Sequence, residues 1–130
     1  MKQKRLLMVE DIEVHYVIPA VKRNLSIYMK EGGKSQKEIA DILGMREAAV
    51  SQYISKKRGN QITFDKDILD EIRKSAKKID NRLSFFREIR RILTIIKSSH
   101  MLCRLHRKFS DVPEGCCPEA VGCRIYRGKK

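Results

Sequence analysis

The sequence predicts an all-α fold, and three observations carry that reading. Apolar residues recur at helical spacing through most of the first hundred positions. Capping and stop residues punctuate those stretches where helices need them. Aromatic residues make up only 6% of the chain, with no tryptophan, which argues against a large sandwich or barrel.

The elements follow in order. From Pro19 to Lys30 the apolar positions Val21, Leu25, Ile27 and Tyr28 suit a helix, with Pro19 as its first residue, where a missing N–H costs nothing. Upstream, Val9 to Ile18 reads equally as an earlier helix or an extended arm. Gly32-Gly33 stops the first helix. Ser35-Gln36-Lys37-Glu38 forms a capping box that opens a second helix running to about Leu43, and Gly44 turns the chain. A third short helix is expected from about Arg46 to Ser55, with Gly59-Asn60 closing the unit. Thr63 or Asp65 can cap the next helix, whose stripe is Ile68, Leu69, Ile72, Ala76 and Ile79. After a break at Asp80-Asn81, Leu83, Phe86, Ile89, Leu93 and Ile96 form another stripe, widened by Phe85, Ile92 and Ile95. An apolar face that wide must be covered from two sides. Beyond Ser98 periodicity fades, and Pro113, Gly115, Pro118, Gly122 and all four cysteines fall in the last 28 residues. That tail is expected to be irregular. Three segments result: 1–62 for the short helices, 63–100 for the long ones, and 101–130 for the Cys-rich tail.

The charge balance suggests a partner. With 29 Lys and Arg against 16 Asp and Glu, the chain carries +13, and phosphate backbones are the first candidate polyanion. No apolar run approaches the ~20 residues of a membrane span, and Leu6 to Val9 is too short for a signal sequence. A cytoplasmic setting without membrane contact is therefore expected.

Residues Ser35 to Gly59 have a specific internal logic. Ala40 lets a following helix pass close, Gly44 makes the tight turn, and Val50 fills the corner. Ile39, Leu43, Met45, Tyr53 and Ile54 complete the inward set. These constraints belong to a helix-turn-helix, which pushes its second helix outward as a probe. The pattern Gln36-x-x-x-Ala40-x-x-x-Gly44-x-x-x-x-x-Val50-Ser51-x-Tyr53-Ile54 resembles the Xre, or lambda-repressor-like, family. A narrower similarity, to archaeal predicted regulators, covers Val17 to Gly59 and Leu102 to Cys116. The resemblance implies a lambda-repressor-like bundle that binds double-stranded DNA, with Arg46, Glu47, Ala48, Ser51 and Gln52 entering the major groove. Arginine can fork onto guanine, glutamine can pair with adenine, glutamate can accept from cytosine, and alanine can touch a thymine methyl. Gln36 at a helix N-terminus, and Lys56, Lys57 and Arg58 behind the probe helix, suit phosphates.

Such modules commonly bind as pairs. Part of Leu83 to Ile96 is accordingly expected to form a homodimer seam. The tail invites metal chemistry. Zinc wants four tetrahedral ligands, for instance Cys103, His106, one of Cys116 and Cys117, and Cys123. Adjacent cysteines suit zinc poorly because one is left idle. A [4Fe-4S] cluster offers four irons, so Cys103, Cys116, Cys117 and Cys123 can each take one. This favours an iron–sulfur cluster acting as a redox or iron sensor. A structural zinc site in a DNA-binding regulator or coactivator is the alternative, and free or redox-paired thiols a third. The archaeal regulators often carry a further Cys-x-x-Cys ahead of the tail, whereas no cysteine precedes Cys103 here. His15 and His100 are isolated. No nucleotide fingerprint, nucleophile–base constellation or small-molecule site is evident, so the reading is not that of an enzyme.

Overall fold

The structure is a computed structural model that describes residues 6–55 and 57–115. It is helical throughout its regular elements, with no strand among the described residues. Helix α1 (Val9–Ile12) runs through a π-helical stretch (Glu13–Val17) into α2 (Ile18–Glu31). Then follow α3 (Gln36–Leu43), α4 (Glu47–Ile54), α5 (Lys66–Lys78), α6 (Arg82–Ser98) and α7 (Met101–Phe109). Helix α2 forms the centre, packed against α4 and α5, while α5 lies along α6. All three sequence segments contribute to one buried cluster, from Ile12 through Leu25, Val50 and Ile72 to Ile96 and Leu105.

The N-terminal segment resolves the choice left by its sequence. Residues Val9 to Ile12 are helical, and Pro19 is the second residue of α2 rather than the start of an isolated helix. A proline inside a regular helix clashes with the carbonyl four residues earlier and donates no bond. The π-helical turn before it widens the spiral, so the chain passes through Pro19 while remaining helical.

The caps match their chemistry. Ser35 Oγ accepts from the Glu38 N–H at 3.1 Å, and Glu38 Oε1 accepts from the Ser35 N–H at 2.8 Å. Of the two expected caps for α5, Asp65 serves, with Oδ1 accepting from the Ile68 N–H. Asn81 Oδ1 accepts from the Ser84 N–H and opens α6.

Two elements differ from expectation. On α6 the buried face is Phe85, Ile89, Ile92 and Ile96, whereas Leu83 and Phe86 point outward at 71% and 61% exposure. The buried face also carries Glu88, only 5% exposed. It is held by a polar network that local spacing does not reveal. Ser75 Oγ donates to Glu88 Oε1 at 2.8 Å, Arg91 Nε donates to the same oxygen at 3.1 Å, and Arg91 Nη1 reaches Glu71 Oε1 at 2.8 Å. The second difference is α7. Residues 101–109 form a helix with Met101, Leu102 and Leu105 buried, so the chain is regular about ten residues further than composition suggests. Helix α7 packs on α1 and α6. Its far end is tied to the N-terminal arm: the Leu7 N–H donates to Ser110 Oγ at 2.8 Å, His106 Nε2 meets the Leu7 carbonyl, and Tyr16 stacks on Phe109 with centroids 4.1 Å apart.

Candidate nucleic-acid interface

The α3–α4 pair is set by small residues and one glycine. Ala40 is buried at the contact, and Gly44 takes φ 68°, the left-handed cap that stops α3. Its N–H and that of Met45 return to the Asp41 and Ala40 carbonyls. Val50 and Tyr53 are buried on the inner face of α4, against α2 and α3. Met45 and Ile54 are partly buried around them.

The outer face of α4 is open. Glu47, Ala48, Ser51 and Gln52 are exposed, as is Arg46 at the N-cap position, so the sequence-expected probe residues share one solvent face. Gln36 is half-buried on the first turn of α3. The capping box there uses the N–H of Glu38 and leaves those of Gln36 and Lys37 at the helix end. The hydrogen bond from the Ser35 N–H holds the Glu38 carboxyl below its ordinary value, outweighing partial desolvation.

Behind α4, Lys57 and Arg58 are exposed, while Lys56 lies outside the described residues. The Lys57 N–H donates to the Gln52 carbonyl at 2.8 Å, which anchors this turn to the helix end. The Arg58 guanidinium sits 5.7 Å from the Tyr53 ring centroid. Burial pushes the Tyr53 hydroxyl upward in pKa, and Arg58 opposes that shift. Gly59 then presses against α2 with φ 73°; a Cβ there would lie 2.5 Å from the Pro19 carbonyl oxygen. This approach and the Arg82 Nε bond to the Asp41 carbonyl at 2.7 Å are contacts that sequence reasoning misses. The first had a signal, since glycine directly ends the basic run. The second joins residues 41 apart and had none.

The proposed metal ligands are only partly described. Cys103 is half-buried on α7, and His106 one turn later has its Nε2 engaged at Leu7. Cys116, Cys117 and Cys123 lie outside the described residues. Among the described residues no group of three His, Cys, Asp or Glu side chains could hold a metal ion. Among them, too, no helix is long and apolar enough to cross a membrane. No protein-family model, curated protein or solved structure matches this chain.

Proposed function

We propose that this chain is a sequence-specific DNA-binding regulator of the lambda-repressor-like, Xre type, acting in the cytoplasm as a dimer. The observation that carries the reading is the two-sided α4. Its inner residues are packed, while Arg46, Glu47, Ala48, Ser51 and Gln52 share an open face. Lys57 and Arg58 follow at once in a chain of net charge +13. In this reading α4 enters the major groove. Arg46 reaches a guanine edge as a bidentate donor, Gln52 donates to adenine N7 while accepting from its N6 amino group, and Glu47 and Ala48 discriminate beside them. Gln36 and the first N–H groups of α3 hold a phosphate, as do Lys56, Lys57 and Arg58.

The test is selection from a random duplex pool followed by gel shift. A consensus sequence is expected. Gln52→Ala is then expected to weaken consensus binding by ~1–3 kcal/mol and relax preference at one base pair. Lys57→Ala is expected to weaken all duplexes alike and flatten the salt slope by about one. An equal, sequence-independent loss from both variants would remove α4 from the groove.

The tail extends the reading. Cys103, Cys116, Cys117 and Cys123 suit a [4Fe-4S] cluster, which supplies reversible one-electron chemistry when bound. Cys103 rides on α7, whose end is bonded to the N-terminal arm that continues into α2. Ligation at Cys103 therefore bears on the helix that supports α4. Protein purified without oxygen is expected to be brown and to contain iron, and each Cys→Ser variant to lose it while keeping its helical content. Cluster-loaded and apo forms are expected to differ by ~1–3 kcal/mol in consensus binding, the usual scale of allosteric coupling. Equal affinities would make the cluster a staple. Zinc in place of iron would favour the structural alternative.

A further inference from the structure

We propose that the dimer forms through one groove, walled by the π-helical stretch with its flanking helices on one side and α6 on the other, and that a second copy of this chain fills it. The inference rests on the dimeric reading above and specifies its surface. One wall presents Glu10, Glu13, Val14 and Ile18; the other presents Arg90, Leu93, Thr94 and Lys97. Among the described residues, three of the five exposed large apolar side chains belong to this face. Val14, 59% exposed, lies in the groove, and Phe86 and Leu83 continue its α6 wall one and two turns beyond Arg90. The open residues Leu83 and Phe86 fall within Leu83 to Ile96, the segment in which the sequence placed a homodimer seam.

Charge identifies the occupant. The first wall is acidic and the second basic. Glu13 and Lys97 already meet across the groove at 3.8 Å, but Glu10 and Arg90 are exposed and form no salt bridge with each other. A two-fold axis running along the groove lays each acidic wall on the other copy's basic wall, and the isologous contact repeats each pairing twice. Glu10 and Arg90 of the partner subunit then lie on facing walls, with Val14 and Leu93 as the apolar contact within the groove and Phe86 extending it past Arg90. The chain's own C-terminal residues fit less well. Positions 116–130 carry Arg124, Arg127, Lys129 and Lys130 against Glu119 alone, so they would leave the basic wall unmatched.

Sedimentation equilibrium of the full chain tests this. Wild type is expected to be dimeric at micromolar concentration. Phe86→Asp is expected to weaken association by about thirtyfold or more, the scale of a central aromatic anchor; because Phe86 is exposed, its helical circular dichroism should be unchanged. Arg90→Glu and Glu10→Arg are each expected to weaken association about tenfold, and the double variant to recover most of that loss. Arg90→Glu is the sharper arm, because it removes two units of the +13 by which the copies repel. A general field effect would strengthen that variant's dimer. A monomeric wild type overturns the dimeric reading and this surface together. A wild-type dimer indifferent to Phe86→Asp and to both reversals overturns the surface alone, and failure of the double variant to recover overturns the pairing. Consensus gel shifts report DNA binding separately from all three.

Discussion

Arg91→Ala is expected to lower folding stability by about 3 kcal/mol at neutral pH, the lower end of the range for removing one partner of a buried ion pair. Arg91 is itself about a third exposed, which limits the loss. The damage falls on Glu88, whose carboxylate would remain buried between α5 and α6 with the Ser75 hydroxyl and a distant Arg87 as its neighbours. In the wild type, burial pushes the Glu88 carboxyl upward in pKa. The Ser75 and Arg91 hydrogen bonds, with the Arg91 and Lys78 charges, prevail and hold it below the ordinary value of 4.5. Glu71 is depressed as well, chiefly by its hydrogen bond from Arg91. A depressed carboxyl contributes stability that is present above the ordinary value and is lost as pH falls through the folded value. Wild type should therefore lose stability below about pH 4.5. In the variant burial is no longer outweighed, the Glu88 pKa rises, and protonation relieves it. The gap between the two proteins should be widest at neutral pH and close on acidification. Urea unfolding across that range measures it; a constant gap would mean that Arg91 contributes packing rather than charge.

Gly59→Ala is expected to cost about 2–4 kcal/mol, from left-handed strain of ~1–2 kcal/mol together with overpacking of similar size. The added methyl would lie 2.5 Å from the Pro19 carbonyl oxygen and 3.1 Å from Arg23 Cβ. Neither the oxygen nor the α2 backbone behind it can swing aside like a side-chain tip, so the 57–61 loop must lift. Gly44→Ala is the matched control: its φ is 68°, and nothing lies within 4 Å of the added atom. That variant should show the conformational cost alone. Thermal unfolding of the pair separates the two contributions, and equal losses would mean that the loop moves off α2 freely. Since Lys57 and Arg58 ride on this loop, Gly59→Ala should also blunt binding to all duplexes.

The α3–α4 pair was legible because its information is local. A capping box, a stop glycine and one corner valine lie within sixteen residues, and each acts on its immediate neighbours. The face of α6 was not legible in the same way. Two apolar stripes overlap there, Leu83-Phe86-Leu93 and Phe85-Ile89-Ile92-Ile96. Glu88, marking one of them polar, argues for burying the other. Only the partners from α5 at Glu71 and Ser75 make a carboxylate acceptable inside. Helix α7 was obscured by its neighbours: the prolines, glycines and paired cysteines beyond Val112 colour the whole segment, while Met101, Leu102 and Leu105 are few. Among the proposed base-contacting residues, residue type and order were readable. Their common exposure on one side of α4 needed the structure.

The contact between Leu7 and Ser110 also has a meaning for how the chain assembles. It closes a loop of 103 residues, and the length-dependent entropy of that closure is about 4 kcal/mol. The α3–α4 pair joins neighbours in sequence and closes almost nothing. During synthesis the residues through α6 emerge before α7 exists, so the helical body forms with the N-terminal arm still unclasped. On these grounds the α1–α7 clasp is expected to close later than the α3–α4 pair. In thermodynamic terms the cysteine-bearing end would then be attached to the body through a local unfolding step less costly than opening the whole core.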